Sequence, residues 1–150
     1  VNVLEPLDFR LAPPRGPRES ALGLVFLPRT IDKMRAALPG GNLNGYLVDY
    51  PRGLSAFLLK RVGVDLAAMQ AEVAAAPDEA AVLAWFEQHA DLSKAGDVSA
   101  KLASLSLAKL SDDDRAMVHR IHPGIAGRLE IETFFDVFEF DDARVTARTA

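Results

Sequence analysis

The chain contains no cysteine, and that one absence removes disulfides, thiolate metal sites, iron–sulfur clusters and thiol nucleophiles together. Small secreted domains lean on disulfides, so the lack of them points to a reducing, cytoplasmic setting. Long apolar runs are missing too. The longest, residues 21–27, stops at Pro28-Arg29, well short of the roughly 18 residues that span a bilayer, and no membrane partner is expected. Excess positive charge is lacking: the formal net charge is −4, whereas generic nucleic-acid binding needs a strongly basic face. No nucleic-acid partner is therefore expected. Nor is there a Gly-Lys-Ser/Thr phosphate loop, a Gly-x-Gly-x-x-Gly turn after a strand, a Gly-x-Ser-x-Gly elbow or calcium-loop spacing. Cofactor and metal are both expected to be none, and no residue is assigned a catalytic role.

What is present is the composition of an ordinary folded protein, with 49% hydrophobic and 25% charged residues in 150. That length fits one domain, residues 1–150, able to bury roughly 70% of the surface its unfolded chain exposes. Pro6, Pro13, Pro14 and Pro17 surround Gly16, which excludes regular helix or central strand there. Residues 1–18 are expected to form an extended, proline-rich arm over the surface.

Beyond the arm the periodicity is helical. Leu27, Ile31, Met34 and Leu38 fall on one face of a helix closed by Pro39-Gly40-Gly41. Its start is either near Pro28 or, with a kink, near Ser20. Leu54, Phe57, Leu58 and Val62 mark a second helix ended by Gly63, Asp65 caps a third, Asp78 opens a fourth, Asp97 caps a fifth and Ser111 a sixth. Ile131, Phe134, Phe135 and Phe138 fit a final helix, and residues 144–150 are expected to be a mobile tail. The predicted fold is all-α, a single domain of about five to seven short helices.

Charge is unevenly spread. Residues 1–61 hold nine Lys and Arg against five Asp and Glu, the rest eight against sixteen. Internal pairing of a basic part with an acidic part accounts for this, and so does a local anion site in the first third. The densest chemistry is Arg29-Thr30-Ile31-Asp32-Lys33-Met34-Arg35. Arg29 and Lys33 are one helical turn apart and repel unless an anion lies between them. Asp32, three residues from both Arg29 and Arg35, can serve as that anion, and so can a bound carboxylate or phosphate. The following loop, residues 40–51, can fold Tyr46 and Asp49 back toward that pair. The candidate ligand site is thus Arg29, Asp32, Lys33, Arg35, Tyr46 and Asp49. His119 and His122 are better placed as residues of a helix end than as a metal pair, because Pro123 turns His122 out of the helix. Asp141-Asp142 reads as part of a solvated acidic face, and the Phe134, Phe135, Phe138 stripe as core before partner surface.

Pro14-Arg15-Gly16-Pro17-Arg18, the Arg29-x-x-Asp32-Lys33-x-Arg35-Ala36 core, Gly40, Tyr46, residues 58–63, Asp78-Glu79 to Trp85-Phe86 and Asp136-Val137-Phe138 with Asp141-Asp142 resemble the bacterial family known as domain of unknown function 5069. The sequence departs from that family's pattern at residues 42–45, where a Gly-Glu-Tyr run is expected. The family has no assigned reaction, so the resemblance implies one bacterial cytoplasmic domain and transfers no activity. Three functions remain open. The first, favoured, is non-catalytic binding of a small anionic metabolite or acidic partner through the basic helix. The second is an enzyme on the same cluster, with Asp32 or Asp49 as base. The third is a structural or interaction module, which leaves room for a homo-oligomer.

Overall fold

The first helix begins where a tight hairpin delivers the chain. Ser20–Ala21 (β1) and Leu24–Val25 (β2) pair antiparallel, Ser20 with Val25 and Ala21 with Leu24. The two residues between them, Leu22 and Gly23, have φ of 53° and 78°, the doubly positive turn that matches strand twist. Phe26 then takes a left-handed conformation as N-cap, and α1 runs Leu27–Ala36 with Pro28 in its first turn. Of the two starts left open by the sequence, this is the one near Pro28. The hairpin has no signature in the sequence, because residues 20–25 lack the alternation that marks a strand. These coordinates come from a computed structural model that describes residues 3–149.

Six further α-helices follow among the described residues: α2 Leu54–Val62, α3 Leu66–Ala75, α4 Glu79–His89, α5 Ala95–Ser104, α6 Asp112–Ile121 and α7 Phe134–Thr149. The fold is a mostly helical single domain. Asp65, Asp78 and Ser111 each accept a hydrogen bond from the backbone N–H three residues on, at 2.9, 2.9 and 3.1 Å, so these helices start where the sequence placed them. Gly63 ends α2 at φ 79°. Asp97 is not a cap. A 3-10 turn, Leu92–Lys94, capped by Asp91, runs straight into α5, which leaves Asp97 in the helix's first turn. A reciprocal pair starts α7: the Asp136 carboxylate accepts from Thr133 N at 3.0 Å, and Thr133 Oγ1 accepts from Asp136 N at 3.2 Å.

Nearly every side chain of α1 is buried, because β1, α2 and α3 all pack on it. The main core joins Leu27, Ile31 and Met34 to Leu58, Met69, Val82, Phe86 and Leu102. A smaller cluster gathers Val118, Ile125 and Val137, and Phe134 and Phe138 of α7 pack against both. The Phe stripe is therefore core, with Phe135 fully buried.

Among the described residues the segment before β1 holds no helix and is pinned rather than loose, and residues 1 and 2 of the expected arm lie outside them. Phe9 is 1% exposed, its N–H donates to Asn42 O at 2.9 Å, and Asn42 N–H donates to Leu7 O at 2.9 Å. That approach needs Gly41, whose absent Cβ would sit 2.4 Å from Ala36 O. At the other end the segment expected as a mobile tail from residue 144 continues α7, with Val145 buried. Its last residue, 150, lies outside the described residues.

Candidate functional site

Because α1 is enclosed, most of its charged side chains lie inside the protein. Arg29, 1% exposed, forms a bidentate pair with Asp142 of α7, at 2.6 Å from Nη1 and 3.0 Å from Nη2, and Nη1 also donates to Arg15 O at 3.1 Å. The rings of Phe26, Tyr46 and Phe138 surround its guanidinium at 5.8, 5.5 and 5.2 Å. The Tyr46 hydroxyl donates to Asp142 Oδ1 at 2.9 Å. Burial, reinforced by the Asp142 charge, raises the Tyr46 phenol well above its ordinary value.

Asp32 faces away from this group. It accepts from Arg15 N at 2.8 Å and from Arg15 Nη2 at 2.9 Å, and the same guanidinium reaches Glu79. Arg35 donates from Nε to Glu5 O at 3.0 Å, and Asp49 is exposed. Of the six residues singled out from the sequence, Arg29, Lys33 and Tyr46 come together, while Asp32, Arg35 and Asp49 do not. Asp32 is not the counter-charge of Arg29 and Arg35, because its carboxylate pairs with Arg15, in the segment before β1.

Lys33 differs from its neighbours. It is 6% exposed, with Nζ 4.9 Å from the Phe26 ring centre and 5.9 Å from that of Phe138. Among the described residues its ammonium has neither a hydrogen bond nor a salt bridge. Burial, together with the repulsion of Arg29 and only partly opposed by Asp142, pushes its amine down to about 7.

Arg29 and Lys33 form part of the wall of a cavity of about 510 Å³, a volume suited to a small organic ligand. The loop after α1, the start of α2, α6 with the segments flanking it, and one face of α7 from Phe134 to Val145 form most of the rest. Most of its lining is apolar, from Leu54, Phe57, Leu110, Met117 and Phe138. The polar groups that reach it include Tyr46, Tyr50, Ser55, and the pair His122–Asp141, in which His122 Nδ1 and Asp141 Oδ2 are hydrogen-bonded.

Asp141, Asp142 and His122 were not candidates from the sequence. The signal for Asp142 was there: it shares a helical face with Phe135, Phe138 and Val145, so an acid stood on an apolar stripe. His122 had no such signal, since its partner is 19 residues away across a turn. The uneven charge is matched internally, for Arg15 with Glu79, Arg18 with Asp136 and Glu139, Arg29 with Asp142, and Arg52 with Asp114 join the basic part to the acidic part. No described helix is long and apolar enough to cross a membrane.

The model of the family described as domain of unknown function (DUF5069) matches residues 11–144, and the chain belongs to that family. No curated protein matches the sequence.

Proposed function

We propose that this DUF5069 protein binds a small molecule with an apolar body and an anionic head, the body among Leu54, Phe57, Met117 and Phe138 and the head at Lys33. One observation carries the reading: Lys33 is a buried cation on the cavity wall with no anion of its own. Arg15 has Asp32 and Glu79, and Arg29 has Asp142. A buried, unpaired ammonium is costly, and a carboxylate or similar anion arriving through the cavity supplies the missing partner. The apolar lining then excludes water and strengthens the contact. The enzymatic alternative with Asp32 or Asp49 as base draws no support from this geometry, since neither lines the cavity.

Binding of this kind is coupled to protonation. A free amine near 7 is about half charged at neutral pH, so an anion that pairs with it draws in a proton. The test is calorimetric titration at pH 8 with octanoate and 3-phenylpropanoate, in two buffers of different ionisation enthalpy. Proton uptake on binding is expected, with a loss of about 30-fold or more in affinity for Lys33→Met. Equal affinity of the two proteins, or no binding by either acid, refutes the reading.

A further inference from the structure

Beyond that reading, and resting on the same cavity, we propose that Lys33 captures carbonyl compounds: its amine adds to the aldehyde or ketone carbon of a small, largely apolar molecule and holds it as an imine. An amine must be unprotonated, accessible and free of competing bonds to do this. Lys33 lines the cavity, and no hydrogen bond or ion pair among the described residues occupies its nitrogen. Burial and Arg29, one turn earlier on the same helix, favour the neutral form, against the pull of the Phe26 and Phe138 ring faces on a cation. On α7, Asp142 is engaged by both Arg29 Nη atoms and by the Tyr46 hydroxyl, and Asp141 is engaged by His122. A desolvated lysine beside a second cation is the arrangement that makes an amine nucleophilic near neutral pH, and the depressed proton affinity of Lys33 agrees with it.

The chemistry balances without any further reagent. The nitrogen lone pair attacks the carbonyl carbon, a C–N bond forms, and the C=O electron pair moves to oxygen. A proton passes from nitrogen to that oxygen, giving a carbinolamine. A second proton then reaches the hydroxyl, the C–O bond breaks, water leaves, and loss of the last N–H proton yields the neutral imine. His122 lines the same cavity and can relay these protons through water. Asp141 holds its Nδ1, its Nε2 has no partner among the described residues, and its ring lies 5.9 Å from that of Phe138, the same ring that Lys33 approaches.

The experiment is reductive trapping of the full chain with octanal and cyanoborohydride at pH 6, 7 and 8, followed by peptide mass mapping, with octanoate as competitor. Lys60, Lys94, Lys101 and Lys109 are exposed and serve as internal controls. The proposal expects alkylation of Lys33 to exceed that of Lys60 by about tenfold or more at pH 7. Lys33→Met should leave only the control adducts, and His122→Gln should slow trapping at Lys33 without altering the controls. Control adducts with Lys33 unmodified, or no adducts at all, overturn it. If octanoate binds with proton uptake while octanal leaves Lys33 untouched, carbonyl capture fails and anion binding stands. If octanal is trapped at Lys33 and octanoate neither binds nor competes, capture stands and the anion reading falls.

Discussion

Replacing Lys33 by Met should make the protein more stable, and by an amount that depends on pH in a calculable way. The amine moves from an ordinary 10.5 in the unfolded chain to about 7 in the fold. Each tenfold change in proton affinity corresponds to about 1.4 kcal/mol. The unfolded chain binds this proton more tightly, so below the folded value the whole penalty is present, and it fades as pH rises from 7 toward 10.5. The cost of Lys33 is then about 5 kcal/mol at pH 6, about 4 at pH 7 and about 2 at pH 9. Met has similar length, suits the surrounding rings and brings no charge. For a chain of this size each kcal/mol moves the melting temperature by about 2–4 °C. Lys33→Met should therefore melt about 8–16 °C above wild type at pH 7 and about 4–8 °C above it at pH 9. Calorimetric melts of both proteins across that range isolate this term, because every other titrating group is common to the two. A variant less stable than wild type at pH 7, or an advantage that does not shrink with pH, would show that the folded protein holds this ammonium favourably, and the argument for an unpartnered cation would collapse. A confirmed advantage means that the fold keeps a destabilising residue at its cavity, the pattern expected where binding rather than stability sets the side chain.

Three further outcomes follow from the same geometry. Asp142→Asn leaves the Arg29 charge buried without its partner and should cost about 3–5 kcal/mol in urea unfolding, whereas Asp32→Asn should cost about 1 kcal/mol, because Arg15 is 34% exposed and keeps Glu79; equal losses would contradict this ranking. The chain has two tyrosines, and since burial and Asp142 hold the Tyr46 phenol un-ionised, Tyr46→Phe should leave the tyrosinate absorbance gained between pH 8 and 11 unchanged; a halved signal in a still-folded variant would refute it. Gly41→Ala drives a methyl group against the Ala36 backbone and should cost about 3 kcal/mol, while Gly96→Ala, in α5 with open space at its Cβ position, should stabilise by about 0.5 kcal/mol; thermal melts of the pair distinguish the two cases.

Helix number, the caps at Asp65, Asp78 and Ser111, the glycine stop at Gly63 and the apolar stripes are local properties, written within one or two turns of chain, and they were legible in the sequence. So was the singling out of Arg29 and Lys33, since two like charges one turn apart demand an explanation. What the sequence could not decide was which partner each charge takes. Asp32 lies near Arg29 along the chain, yet in the fold it belongs to Arg15, and Arg29 belongs to Asp142, 113 residues away. Such pairings depend on which elements enclose α1, and no local pattern carries that information. The difference between Arg29 and Lys33 has the same origin. Both are cations on one helix face and look alike in sequence, but α7 brings one carboxylate pair of oxygens to the guanidinium and leaves the amine facing the cavity. Composition and periodicity thus determined a cysteine-free helical domain with a charged first helix. Tertiary packing alone decided that this helix is buried, that Arg29 is neutralised, and that Lys33 is not, because burial turns the presence or absence of a single counter-charge into several kcal/mol.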